Sequence, residues 1–119
     1  MKAISLESLN RIDGYSGSCL VDFESGKVLE VNGNDRRNLE KVGHGNTAVI
    51  RAERDMMEFL GVQGHLEDIL ITLGDHYHIL RPIESKGNLF LNVILDRIKA
   101  NLALARLEIK SFEKSINWD

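Results

Sequence analysis

The chain has 119 residues, which suits a single domain over 1–119, and folding at that size buries about two-thirds of the unfolded chain's surface. Hydrophobic residues at 43% and charged residues at 28%, with one Pro and no low-complexity tract, exclude a disordered chain. A net charge of −3 excludes duplex nucleic acid as the main partner, because duplex binders concentrate positive charge on one surface. No run approaches the ~18 uncharged apolar residues of a membrane span, and Met1-Lys-Ala-Ile-Ser-Leu-Glu7 lacks the apolar core of a signal peptide. A cytoplasmic protein without membrane insertion is expected.

Ser5 can cap a short helix that turns Leu6, Leu9 and Ile12 inward and stops at Asp13-Gly14. Two β-rich runs follow, Tyr15 to Phe23 and Lys27 to Asn32, and the turn Glu24-Ser25-Gly26 between them makes a hairpin. Cys19 is the only cysteine, so it forms no internal disulfide and reads as a small packing residue of the strand. Ser16-Gly17-Ser18 lacks the Lys of a phosphate loop, and Gly17 marks a bulge or a packing point.

From Asn38 to Leu60 the apolar residues change to helical spacing. At about 100° per residue, Val42, Val49, Met56 and Leu60 share one line, read as the core stripe, with Ala52 and Phe59 on one side of it and Ile50 and Met57 on the other. This arc of roughly 200° is about twice what a helix lying on one sheet needs, so part of it calls for a second partner. Gly43 and Gly45 each cost up to about 1 kcal/mol inside a helix. Either the helix begins at Asn46, with that residue as its cap, or the missing side chains admit another backbone.

Leu66 to Leu73 and His76 to Ile83 are strands joined by Gly74-Asp75, a pair that suits a tight hairpin turn. After Glu84-Ser-Lys-Gly87, Leu89 to Leu95 is apolar on both parities, as expected of a central strand covered on both faces. Asp96 is read as the cap of a last helix whose stripe is Leu102, Ala105, Ile109, Phe112 and Ile116. Trp118 is read as part of a loose tail. The order is helix, two strands, helix, three strands, helix, which predicts an α+β sandwich with a five-stranded, mainly antiparallel sheet and helices on both faces.

Candidate chemistry is sparse. His76 and His78 lie on one face of a strand, but the spacing supplies two metal ligands only, and such a pair is structural or sits at an interface. Asp22, Asp68 and Asp75 are scattered without the companion of a general acid and base pair, so neither an enzyme nor a bound cofactor is expected. Arg36 and Arg37, with Arg51 and Arg54, read as a solvated face or as a docking surface for a partner protein.

These residues resemble the roadblock/LC7 domain in its small bacterial form, from Leu9 to about Ile109. The likeness is carried by Gly14-x-x-Gly17 leading into Leu20-Val21-Asp22, by Gly26-x-Val28-Leu29, and by Leu66-Glu-Asp-Ile-Leu-Ile-Thr72. It continues through His78-Ile-Leu-Arg-Pro82, Leu95-Asp96 and Asn101-Leu-Ala-Leu-Ala-Arg-Leu107. The resemblance implies a profilin-like sandwich that forms homodimers, with third strands pairing edge to edge and middle helices side by side. It places Gly43, Asn46, Ile50, Met57, Leu66, Ile69, Leu70 and Ile71 at that interface. It further implies a non-enzymatic regulator or scaffold that binds a Ras-like small GTPase or a related signalling partner, as dynein light chain-related relatives serve as platforms. The alternative is a small-molecule or metal-binding sensor built on the same sandwich, with His76 and His78 as its polar contacts.

Overall fold

The structure, a computed structural model, describes residues 4–118; Met1, Lys2 and Ala3, part of the stretch read for a leader, and Asp119 lie outside the described residues. The chain opens with a 3₁₀ helix, Glu7–Arg11, where an α-helix was expected. Five residues are too few to repay α-helical nucleation, and the element is held by burial of Leu6, Leu9 and Ile12. Strands β1 (Tyr15–Asp22) and β2 (Lys27–Gly33) form the first hairpin. The carboxylate of Asp22 accepts the amides of Glu24 at 2.9 Å and Ser25 at 3.4 Å, which fixes the turn.

Helix α1 runs Arg36–Leu60. Asp35 caps it by accepting the Asn38 amide at 3.2 Å, and Gly61, in the left-handed region at φ +67°, ends it. The start at Asn46 is therefore corrected: both glycines are inside the helix. At Gly43 the reason is contact, since a Cβ there would lie 2.6 Å from Cys19 Sγ and 2.9 Å from Val21 Cγ2. At Gly45 a Cβ would meet open space. Gly43→Ala should therefore destabilise the fold by about 1–2 kcal/mol in denaturant unfolding, the overpacking strain outweighing the gain of about 1 kcal/mol in helix propensity. Adding Cys19→Ala should restore part of the loss, and an unchanged midpoint in Gly43→Ala would show that the helix can lift without cost.

Strands β3 (Ile69–Thr72), β4 (His76–Pro82) and β5 (Leu89–Asp96) follow. β3 is half the length expected, pairing only Ile69 to Thr72 with Leu80 to Tyr77. The last helix, α2 (Leu102–Ser115), begins a turn later than expected. Asp96 does not cap it; its carboxylate accepts the Ile98 amide at 2.8 Å in a turn, and Asn101 caps α2 by accepting the Leu104 amide at 3.1 Å.

The sheet order is β2-β1-β5-β4-β3 with every neighbouring pair antiparallel, so β5 is central and β2 and β3 are the edges. β5 is buried from Leu89 to Leu95, as its two apolar parities require. Alternate residues feed two cores. Leu20, Leu91, Val93 and Leu95 meet Leu9, Ala105, Ile109 and Phe112 under α2, while Cys19, Val21, Leu80 and Phe90 meet Ile50 under α1.

Two features of the α2 side were not expected. Trp118 is 6% exposed and donates its indole N–H to the Glu113 carbonyl at 2.9 Å, so it belongs to the core and not to a loose tail. Glu113 itself is buried on the inner face of α2, where its carboxylate meets Arg81 at 2.5 Å and accepts the Glu84 amide at 3.0 Å.

Candidate functional site

The residues that α1 turns inward are Leu39, Gly43, Thr47 and Ile50, and the helix lies over β1 and β2. A helix is about 10 Å wide, whereas five strands about 4.8 Å apart span nearly twice that, so α1 alone does not cover this face. The less covered part is β3 and the His76–His78 end of β4, since Leu80 of β4 is buried with Ile50. Its direction is fixed by side chains on α1: Asn46 reaches β5 and β4, bonding Asn92 Oδ1 at 2.7 Å, while Arg51, on the opposite flank, reaches the β1–β2 turn. On the Asn46 flank the helix carries Val49, Met56 and Leu60, which are 36, 50 and 68% exposed, and beyond them Phe59 at 78%. Beside them Ile69 and Ile71 of β3, with Leu66, pack on the core under α1 and stay only half-buried. Apolar side chains thus lie on the helix flank and on β3 at the open edge, with half-buried Glu53 on the same flank and His78 between helix and edge.

The residues expected at an interface stand in different surroundings in the structure. Gly43 and Ile50 are buried against the chain's own sheet, Ile50 with 0% exposure. Asn46 is half-buried between helix and sheet. Met57 lines a cleft of about 380 Å³ with Arg54, His65, Leu66 and Pro82. Leu70 packs into the other core, under α2, so it shares the strand but not the face of Ile69 and Ile71. Conversely, Val49, Met56 and Leu60, read as the core stripe, are the exposed ones. The inward line was disguised because the sheet approaches so closely that it admits only Gly43 and Thr47 between Leu39 and Ile50.

The four arginines do not form one patch. Arg36 pairs with Glu40 at 3.0 Å on the surface, and Arg37 is exposed beside Lys41 and His44. Arg51 donates to the carbonyls of Phe23 at 2.7 Å and Glu24 at 2.6 Å, which ties the first hairpin to α1. Arg54 lies 4.9 Å from the centre of the Phe23 ring. Arg36 and Arg54 stand about 27 Å apart along the helix axis.

Burial pushes the Cys19 thiol up to about 12, which leaves it protonated and without nucleophilic character. Among the described residues no group of three or more His, Cys, Asp or Glu side chains converges on a metal position, so the His76 and His78 pair gains no third donor. His78 is half-buried with its Nδ1 3.4 Å from Asn46 Nδ2, and burial, then the neighbouring His76, lowers its pKa from the ordinary value of 6.5. Among the described residues no helix is long and apolar enough to cross a membrane.

No protein-family model and no curated protein matches the chain. Solved structures do. A roadblock/LC7 domain from Streptomyces avermitilis is 17% identical with a TM-score of 0.79, over 92% of this chain and 88% of that one. The gliding protein MglB from Thermus thermophilus is 17% identical with a TM-score of 0.75, over 91% of this chain and 79% of that one. An MglB described in a tetrameric arrangement is 18% identical with a TM-score of 0.76, over 92% of this chain and 80% of that one. Such identities carry the backbone and not the side-chain chemistry, and what they establish is that this chain has the roadblock/LC7 fold.

Proposed function

We propose that the protein is a non-enzymatic regulatory or scaffold protein that works as a homodimer, joined through the apolar surface of α1 and β3, and that its paired form binds a small GTPase of the Ras type. The observation that carries the reading is the less covered face itself: apolar Val49, Met56 and Leu60 on the helix flank, and Ile69 and Ile71 on β3, stay partly open beside an unpaired strand edge. Soluble chains rarely leave such a patch or such an edge open. A second copy related by a two-fold axis answers both, since the same helix flank and the same edge are then presented from the other side. The tetrameric arrangement described for an MglB of this fold supports self-association. The likeness to a gliding protein supports a place in a regulatory system, and the roadblock resemblance supports a GTPase as its partner.

The test has two stages. Absolute mass by light scattering on a size-exclusion column, at several loadings, should give twice the mass of the 13.4 kDa chain. The Ras-like GTPases of the same genome are then titrated with it, each loaded with GDP or with a non-hydrolysable GTP analogue. Binding to one of them that changes with the nucleotide is the expected result. A monomer at every loading ends the dimer reading, and no binding to any of the GTPases ends the partner reading.

A further inference from the structure

The less covered face carries a polar feature that an apolar contact does not need. His76 and His78 lie on the α1 side of β4, two residues apart and so on the same face. His78 stands over the less covered part of the sheet. Its cross-strand neighbours are Ile71 of β3 and Ile94 of β5, and from α1 the side chain that reaches it is Asn46. None of these carries charge. On α1, Lys41 and Glu53 are about 8 and 10 Å along the axis from Asn46, and His44 is turned the other way, bonding the Gly26 carbonyl at 3.1 Å. On this face of β4 the nearest titratable group is His76, which would add like charge, Tyr77 being on the other face; Asp96 is the cross-strand neighbour of His76 and not of His78. Asn92, fully buried on the same face of β5, accepts from the Asn46 amide nitrogen at 2.7 Å, and that same nitrogen, a donor, is what meets His78 Nδ1, an arrangement that a neutral ring nitrogen can accept and a protonated one cannot.

We propose that pairing of two copies across this face is released by protonation of His78, so that the dimer holds at neutral pH and separates on acidification. The proposal rests on the self-association reading above. A second copy covering β4 and β3 would remove the water that half-buried His78 retains, and burial among Ile71, Ile94 and an amide disfavours the charged ring. The assembled state then binds fewer protons than the separated chains. Its stability is complete at pH 6.5 and above, and is lost as pH falls through the lowered value that His78 already has in the separated chain. If assembly lowers the proton affinity of each copy tenfold, the two copies together raise the dissociation constant by up to about a hundredfold at low pH.

The experiment is sedimentation velocity on the full chain from about pH 8 to about pH 5.5, with circular dichroism at each point to confirm that the fold persists. It is run on the wild type, His78→Gln and His76→Gln. The wild type should be dimeric at the upper limit and dissociate on acidification with at least a tenfold rise in Kd. His78→Gln should lose that dependence and His76→Gln should keep most of it. A wild-type Kd constant within twofold, or tighter in acid, overturns the proposal while leaving self-association intact; so does a full pH effect in His78→Gln. A wild type that is monomeric at about pH 8 overturns self-association and this proposal together. Should His78→Gln fail to fold, the ring proton resonances of His78 in the wild type decide: its titration midpoint must fall as protein concentration drives assembly, and a midpoint independent of concentration sinks the idea.

Discussion

Glu113→Ala should cost about 3 kcal/mol or more in urea or guanidinium unfolding. The side chains of Glu113 and Arg81 are each 9% exposed, and they meet at 2.5 Å between α2 and β4. Removing the carboxylate leaves the guanidinium buried without its counter-charge, and breaking a buried pair from one side costs about 3–5 kcal/mol. It also strips the Glu84 amide of its acceptor, which adds the desolvation cost of an orphaned donor. Against a total stability of roughly 5–15 kcal/mol for a domain of this kind, that is a large fraction. The double replacement Arg81→Met with Glu113→Leu should come within about 1–2 kcal/mol of the wild type, because two apolar side chains of similar volume need no desolvation. The contrast is the informative part: if Glu113→Ala unfolds at nearly the wild-type midpoint, Arg81 finds water or another carboxylate, and the pair is not a buried one in solution.

That ion pair shows what a single sequence hides. Arg81 stands next to Pro82 in a strand, and Glu113 sits among lysines in the last turns of a helix, 32 positions away; nothing in either neighbourhood marks them as partners. Glu113 falls on the inner face of α2 with Ala105, Ile109 and Phe112, yet a charge at such a position reads as an interruption of the stripe until the facing strand is known. Trp118 is hidden for a related reason. Its burial depends on the Glu113 carbonyl and on the α2 core being within reach after the helix ends, and proximity to the terminus argues the other way.

The strands were legible because their signals are local. Leu89 to Leu95 is apolar on both parities and lies in the centre of the sheet; Gly74-Asp75 divides two β-rich runs, and the Leu73 amide bonds the His76 carbonyl at 2.8 Å across it. Helix boundaries were less so, since several residues offer the same capping chemistry. Asp96 and Asn101 both accept an amide, but only Asn101 does so at the start of a helix. The candidate surface was half legible. The width of the apolar arc on α1 called for two partners, and the fold provides one, yet the two halves of the arc were exchanged. Hydrophobicity weights a line by how much its residues bury, whereas the sheet selects by how close it comes, and close approach favours Gly43 and Thr47 over Val49 and Met56.

This exchange makes Ile50→Asp and Met56→Asp a decisive pair. Ile50, with 0% exposure, is wedged between α1 and the core of Cys19, Val21, Leu80 and Phe90, none of which can pair with a carboxylate. Its replacement by Asp loses the burial of a large aliphatic side chain and strands a charge, so a loss of about 4 kcal/mol or more is expected, enough to leave much of the chain unfolded at neutral pH. The buried carboxyl would have its pKa raised, so what stability survives should improve as pH falls and the group becomes neutral. Met56 lies two turns further along on the open flank at 50% exposure, and Asp there should change stability by less than about 1 kcal/mol. On the proposed dimer, a charge placed in this surface should raise the dissociation constant at least tenfold while the circular dichroism spectrum stays that of the wild type. Unfolding curves and absolute mass on the two variants separate the roles. A folded, monomeric Ile50→Asp beside a fully dimeric Met56→Asp would restore the exchanged assignment and place the second copy on the face where the sheet is drawn here.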